Sequence, residues 1–470
     1  MTTPVKRFVV LGILTLAALS RTARADDDDT TKPLDVKAHA RTYNLADCLA
    51  LADRNHPNIW AARARLGVAR GQLDEAKYLP YFQWYAQATA GVLPTIGGSL
   101  FYTQFSPTAI NPTFITGYEP FFNFQINIAL PLYTFGKISS GLDLANANIR
   151  YNEWDVEKWR AFARMDVRRA YFGVMYARDA KYLAKEIVKK LDKAIEGVSQ
   201  KLDKGEKDVE ETDRFRLQLY RDETLARTAD ADRGETYALA ALRFLTGIQT
   251  GFEVPDEPLK KPDTPLAPVI RYLGAARLFR AEVNQARAGL EARKAELSLQ
   301  RARFFPDIGV ALNASYSVAP SVVAQNNFFA ANNFNYFGYG FAVGARWSLD
   351  LPTNAARVAQ AESRLEEVRA LQRLALGGVG VEVENAYASA IEARTREEHW
   401  DQAEHRARQW IATIESAIDL GTKDERALME PLRAYVFARL EHLRALNDYN
   451  INMSELARVS GWDSSAPGGT

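Results

Sequence analysis

Residues 162–208 read FARMDVRRAYFGVMYARDAKYLAKEIVKKLDKAIEGVSQKLDKGEKD, and they lie inside a run, 132–254, that contains no proline. The run is apolar and charged by turns, with few glycines before Gly205, where LDKGEKD at 202–208 offers a sharp reversal. A proline-free run of this length, broken once by a Lys-Gly pair, predicts two long antiparallel helices joined at a tight tip. The same design recurs around DLGTKDE at 419–425. The first of these helices, from about 139 to 202, rises on the order of 95 Å at about 1.5 Å per residue. That outruns an ordinary globular core, so the helices must pack side by side. Interspersed charge at Arg164, Asp166, Arg168, Arg169, Lys185, Glu186 and Lys189 places water on more than one face.

The chain is a duplication. Val167 with Ala170-Tyr171 recurs as Val383 with Ala386-Tyr387, and Gly205, Lys207 and Asp208 recur as Gly421, Lys423 and Asp424, all at one spacing (387 − 171 = 421 − 205 = 216). KYLP at 77–80 and RFFP at 303–306 precede the hairpins, and LTG at 245–247 and VSG at 459–461 follow them. A set of matches in one order marks an internal repeat. The halves run 43–247 and 269–461, with hairpins at 137–246 and 355–459. The linker between them, 248–268, carries Pro255, Pro258, Pro262, Pro265 and Pro268, too much proline for helix or sheet. Each half opens with helix. Asn44 can cap a segment through Asp53, and His56-Pro57 restarts a helix to about Lys77; His56 is there a helix-start residue. The counterpart in the second half is a helix from about 269 to 303.

After Pro80 the period changes from 3.6 to 2. Strands are expected at 81–92, 121–132, 307–318 and 336–349, with Trp84, Ala86 and Ala88 alternating against Gln83, Tyr85 and Gln87, and Phe122, Phe124 and Ile126 against Asn123, Gln125 and Asn127. Each is about the length of a tilted membrane-spanning strand, apolar on one face and small or polar on the other. A half-buried soluble sheet alternates equally well. The aromatic-rich apolar faces and the long irregular connections at 94–120 and 319–335 favour a membrane barrel. Four strands in lipid leave two open edges, which hydrocarbon does not permit, and closing even a small barrel takes about eight strands. Several chains must then share one barrel.

Lys6 and Arg7, an apolar run to Leu19 and the site Ala23-Arg24-Ala25 read as a signal peptide, 1–25, cleaved after Ala25. An extension, 26–42, follows it, and a flexible tail, 462–470, closes the chain. The peptide carries four cations and no acid, so the formal charge of +1 becomes 1 − 4 = −3, which gives no reason to expect a nucleic-acid partner. Cys48 is the single cysteine, so no internal disulfide forms. It lies too far from the leader for lipidation and is expected to be a small buried thiol. No later segment has 18 consecutive apolar residues, so any membrane crossing is by strands.

The order helix, strand pair, long hairpin, repeated twice behind a signal peptide, resembles the TolC family of outer-membrane efflux and secretion channel proteins. The likeness covers nearly all of the mature chain. It is carried by CLALA at 48–52 with NHPNI at 55–59, by LPLYTFGK at 130–137, and by the two tip turns. It implies a mainly α protomer with membrane β, three of which form an α-barrel and a shared 12-stranded β-barrel, in the outer membrane with a long periplasmic extension. It implies tips that dock to a periplasmic adaptor protein and, indirectly, an inner-membrane pump. The docking candidates are Lys204, Gly205, Glu206, Lys207, Asp208, Leu420, Gly421, Thr422 and Asp424. Family members ring the gate with carboxylates six and nine residues beyond the second tip glycine; here those positions hold Ala427 and Glu430. The family's tie of a base, a tyrosine and an acid falls on Lys423, Ile418 and Glu211, and Ile418 cannot make the tyrosine hydrogen bond. Pro431 is expected to kink the descending helix, and Gly377, Gly378 and Gly380 to soften the preceding one.

The resemblance implies a passive exit duct of a tripartite efflux or type I secretion system, opened at its periplasmic tip; the alternative is a soluble periplasmic coiled-coil scaffold. An enzyme is not expected. His39, His56, His399, His405 and His442 form no H-E-x-x-H motif, and no nucleophile elbow, phosphate loop or paired-cysteine site is present, so no cofactor or metal is expected.

Overall fold

The computed structural model describes residues 41–81, 83–97, 114–204, 210–262, 264–320 and 335–462. The signal peptide, most of the extension, the tip residues Gly205, Glu206, Lys207 and Asp208, and the tail beyond Trp462 lie outside them. The chain divides into two compact units, one of residues up to Arg63, Asp155–Val283 and from Leu376 onward, the other of Ala64–Trp154 and Asn284–Ala375.

The first unit is helical. Asn44 accepts from the Asp47 amide at 2.8 Å while the Asp47 carboxylate accepts from Asn44 N–H at 3.3 Å, a capping box that starts α1 (Leu45–Asn55). His56 breaks out at ψ 125, and Pro57 opens α2 (Pro57–Tyr78), where its missing N–H costs nothing. Buried His56 accepts from the Asn58 amide at 3.2 Å; burial lowers its pKa, with Asp166 opposing. The second half repeats this break, although no proline marks it. The single helix expected over 269–303 is two, α5 (Val269–Phe279) and α6 (Ala281–Ala302), parted at Arg280 with φ −63 and ψ 129. Arg280 is buried, and its guanidinium reaches Glu282 at 3.1 Å and Glu382 at 2.5 Å. Tertiary ion pairs therefore hold this extended residue, and local sequence does not announce it.

The long helices are α3 (Lys137–Asp203), α4 (Glu211–Thr246), α7 (Leu351–Asp419) and α8 (Met429–Ser460). α7 begins with Pro352 in its first turn and passes through Gly377, Gly378 and Gly380 without interruption. Pro431 is not a kink. It stands in the first turn of α8, after a 3-10 turn at Glu425–Leu428, where backbone N–H groups have no intrahelical acceptor to lose.

The duplication reappears in the packing. One cluster joins Cys48 and Ala52 of α1, Val167, Tyr171 and Val174 of α3, and Leu242 and Leu245 of α4. Its counterpart joins Tyr272 and Ala276 of α5, Val383, Ala386 and Ala390 of α7, and Leu456 and Val459 of α8. Each hairpin ends on a glycine in the left-handed region, Gly247 at φ 74 and Gly461 at φ 76, seated against the break between the short helices. Cys48 is fully buried, and burial, with a smaller contribution from Asp47, pushes its thiol up to about 12. The linker is not free of sheet: β1 (Arg41–Thr42) pairs in parallel with β4 (Phe252–Glu253), just ahead of the first linker proline, and Tyr43 stacks on Phe252 at 5.2 Å.

The second unit holds an antiparallel sheet in the order β2 (Gln83–Gly97), β3 (Phe114–Tyr133), β5 (Asp307–Val318), β6 (Tyr336–Arg346). The two repeats thus contribute neighbouring strands to one sheet. β2 and β3 reach into the connection expected to be irregular. Pro94 is tolerated on edge strand β2, and Pro120 lies where β3 has only β2 beside it, because β5 pairs from Phe122 onward. Where β3 bulges between Pro131 and Tyr133, Gly309 lies so close that a Cβ would sit 2.7 Å from the Leu130 carbonyl oxygen.

Candidate functional site

The sheet has two chemically distinct faces. The rung Trp84, Ile128, Leu312, Phe341 is apolar, and the next, Tyr85, Asn127, Asn313, Gly340, is polar. Asn313 Nδ2 donates to Asn127 Oδ1 at 2.7 Å on the polar face. The apolar face is open: Trp84 is 63% and Phe341 79% exposed. Among the described residues no helix is long and apolar enough to cross a membrane. β2 and β6 each pair on one side only among the described residues.

The second tip is built by a capped reversal. Gly421, at φ 69, donates to Ile418 O at 2.9 Å and Thr422 to Ala417 O at 2.9 Å, the paired bonds of a Schellman motif that needs a left-handed residue. Asp424 then pairs with Arg426 at 3.2 Å, and the 3-10 turn leads into α8. Leu420 is 78% exposed, and Gly421, Thr422 and Lys423 are exposed beside it. At the first tip Lys204 continues the last turn of α3, and the Asp213 carboxylate caps the start of α4 by accepting from Glu210 N–H at 3.3 Å.

Below the tips the helices share one apolar cluster. It takes Ile187, Leu191, Ala194 and Val198 from α3, Leu217 from α4, Ala407, Ile411 and Ile414 from α7, Leu428 from the 3-10 turn and Leu432 and Tyr435 from α8. Spacings of four and three are the knobs of a coiled-coil seam. Ile418 and Ala427 pack against this cluster, whereas Glu430 is exposed in the first turn of α8. Glu211 pairs with Arg214 on its own helix at 2.7 Å; no ion pair joins it to Lys423 among the described residues. The candidate gate residues therefore separate into two apolar ones turned inward and charged ones turned to water.

A buried polar node between α7 and α8 escaped the reading of the sequence. His442 Nδ1 lies 2.6 Å from Glu404 Oε2, Arg439 reaches the same carboxylate at 2.8 Å, and His442 Nε2 stands 3.6 Å from Glu397. Lys261 of the linker ties to Glu397 at 2.5 Å. Burial alone would raise the Glu404 carboxyl, yet the hydrogen bond with His442 and the pairing with Arg439 hold it below 4.5. The signal was present in the sequence: 397, 400, 404, 407, 411, 414 step by three and four, so Glu397 and Glu404 stand on the apolar seam. Among the described residues no group of His, Cys, Asp and Glu could hold a metal ion.

A family model described as outer membrane efflux protein matches residues 49–248 and 273–462. Among solved structures, a membrane protein from Pseudomonas aeruginosa aligns with 17% identity over 90% of this chain and 92% of its own, at a TM-score of 0.72. The Campylobacter jejuni CmeC outer membrane channel aligns with 14% identity over 93% and 91%, at 0.70, and the open state of the Neisseria gonorrhoeae MtrE outer membrane channel with 18% over 89% and 88%, at 0.70. No curated protein matches.

Proposed function

Because the chain belongs to the outer membrane efflux protein family, as an outer-membrane channel with a long periplasmic helical part, we propose that three copies close one 12-stranded barrel and form a passive duct whose helical tips dock to a periplasmic adaptor. The observation that carries this is the sheet: four strands, one open apolar face and an unpaired edge on either side. Unsatisfied edge groups in hydrocarbon cost several kcal/mol each, so β6 of one copy pairs with β2 of the next. Family membership and that open face speak against a soluble scaffold.

The helical end supplies the gate in this reading. The exposed Glu430, Lys423 and Glu211 are its charged groups, and Ile418 and Ala427 strengthen the apolar cluster instead of ringing the opening. The exposed tip residues Leu420, Gly421 and Thr422 and the half-buried Asp424, with Lys204 and the first-tip residues 205–208, offer the adaptor its surface. Energy and choice of cargo, whether for efflux or type I secretion, belong to an inner-membrane pump reached through that adaptor. Light scattering on the detergent-purified protein should give three chains per particle, and planar bilayers should show discrete conductance. A monodisperse monomer without conductance overturns the reading.

A further inference from the structure

We infer that Arg346 sets a ring of fixed positive charge at the helical end of the barrel lumen and attracts small permeant anions there; this rests on the channel reading above. Strand register decides which face Arg346 occupies. It lies opposite Asp307 and in phase with Ala342 and Gly344, on the same face as Asn127 and Asn313 and opposite the face of Phe341 and Trp84. That polar face turns inward once the apolar one meets lipid.

The charges there do not cancel. Asp307 is taken by Lys137, whose ammonium lies 2.7 Å from its carboxylate and 2.8 Å from the Phe305 carbonyl oxygen. Arg346 is exposed and has no ion-pair partner among the described residues. It borders a recess of about 580 Å³, shared with Gln83, Leu79, Thr134 and the Lys137–Asp307 pair. Along the strands the other described side chains of this face are uncharged, except Glu119 near the far end of β3. Counted through the register, Glu119 lies roughly 45 Å from Arg346 at about 3.3 Å per residue, several times the screening length of about 10 Å at 0.1 M salt. Among the described residues each chain therefore adds one unpaired cation to this level of the lumen, and like charges arranged around a lumen raise the local concentration of counter-ions.

The test is the reversal potential of single channels in planar bilayers under a potassium chloride gradient. Arg346→Gln should lower the chloride-to-potassium permeability ratio by about threefold, the bias of a unit charge several ångströms from the ion path. Arg346→Glu should lower it further, and Arg346→Lys should restore it. Conducting Arg346→Gln and Arg346→Glu channels with an unchanged ratio overturn the assignment. Wild-type protein that does not conduct at all instead removes the channel reading beneath it.

Discussion

Two glycines with nearly the same backbone angle should respond very differently to one added methyl group. Gly421 and Gly461 stand at φ 69 and φ 76. Alanine in the left-handed region costs about 1 kcal/mol, partly offset by the lower entropy of the unfolded chain. For Gly421→Ala that is the whole effect, since among the described residues nothing lies within 4 Å of the new Cβ. At Gly461 the Cβ would sit 2.6 Å from the Arg280 amide nitrogen and 2.7 Å from the Phe279 carbonyl carbon. These are backbone atoms, so the whole α5–α6 break must move. Arg280 then loses its geometry toward Glu282 and the half-exposed Glu382, and leaving its buried guanidinium without those partners costs about 1–3 kcal/mol beyond the backbone shift. Gly461→Ala should thus destabilise several times more than Gly421→Ala. Thermal unfolding followed by circular dichroism at 222 nm in one detergent ranks the two variants. Equal falls in midpoint would refute the tight seat of Gly461 on Arg280.

Three further outcomes are expected. Glu404 has a folded pKa below its ordinary 4.5, so its pairing contributes fully above that value and is lost as pH falls through the depressed one; Glu404→Gln should flatten the loss of thermal midpoint below about pH 4.5, and an unchanged acid limb would sink the node. Cys48, with its thiol pushed up to about 12, should resist an aromatic disulfide reagent in native protein at pH 8 and react fully once unfolded; rapid native reaction would show that the α1 cluster opens. Glu430→Ala should weaken block by a multivalent cation added at the tip side by about threefold or more, whereas unchanged block would mean that Glu430 faces away from the path.

The fold class was legible because its signals are local. A period of 3.6 without proline, a period of 2 after Pro80, and the 216-residue spacing that joins Tyr171 to Tyr387 survive any tertiary arrangement. The Arg280 break was not legible, because its extended backbone is held by Glu382, a residue 102 positions away. Pro431 was misread for a related reason: its effect depends on where α8 starts, and the 3-10 turn before it moves that start by a few residues. Glu397 and Glu404 stand among many helical charges, and only the seam residues around them, with Arg439 and His442 opposite, show the face on which they sit.

The sequence by itself determined the long helices, the four sheet strands with their two faces, and the duplication, since periodicity and repeated motifs can be read from the order of residues without knowing the packing. Only the tertiary structure decided that β3 and β5 are neighbours, so that both repeats share one sheet, and that Lys137 occupies Asp307 while Arg346 stands apart. Pairing and charge compensation are contests between residues far apart in sequence, and distance in space settles them.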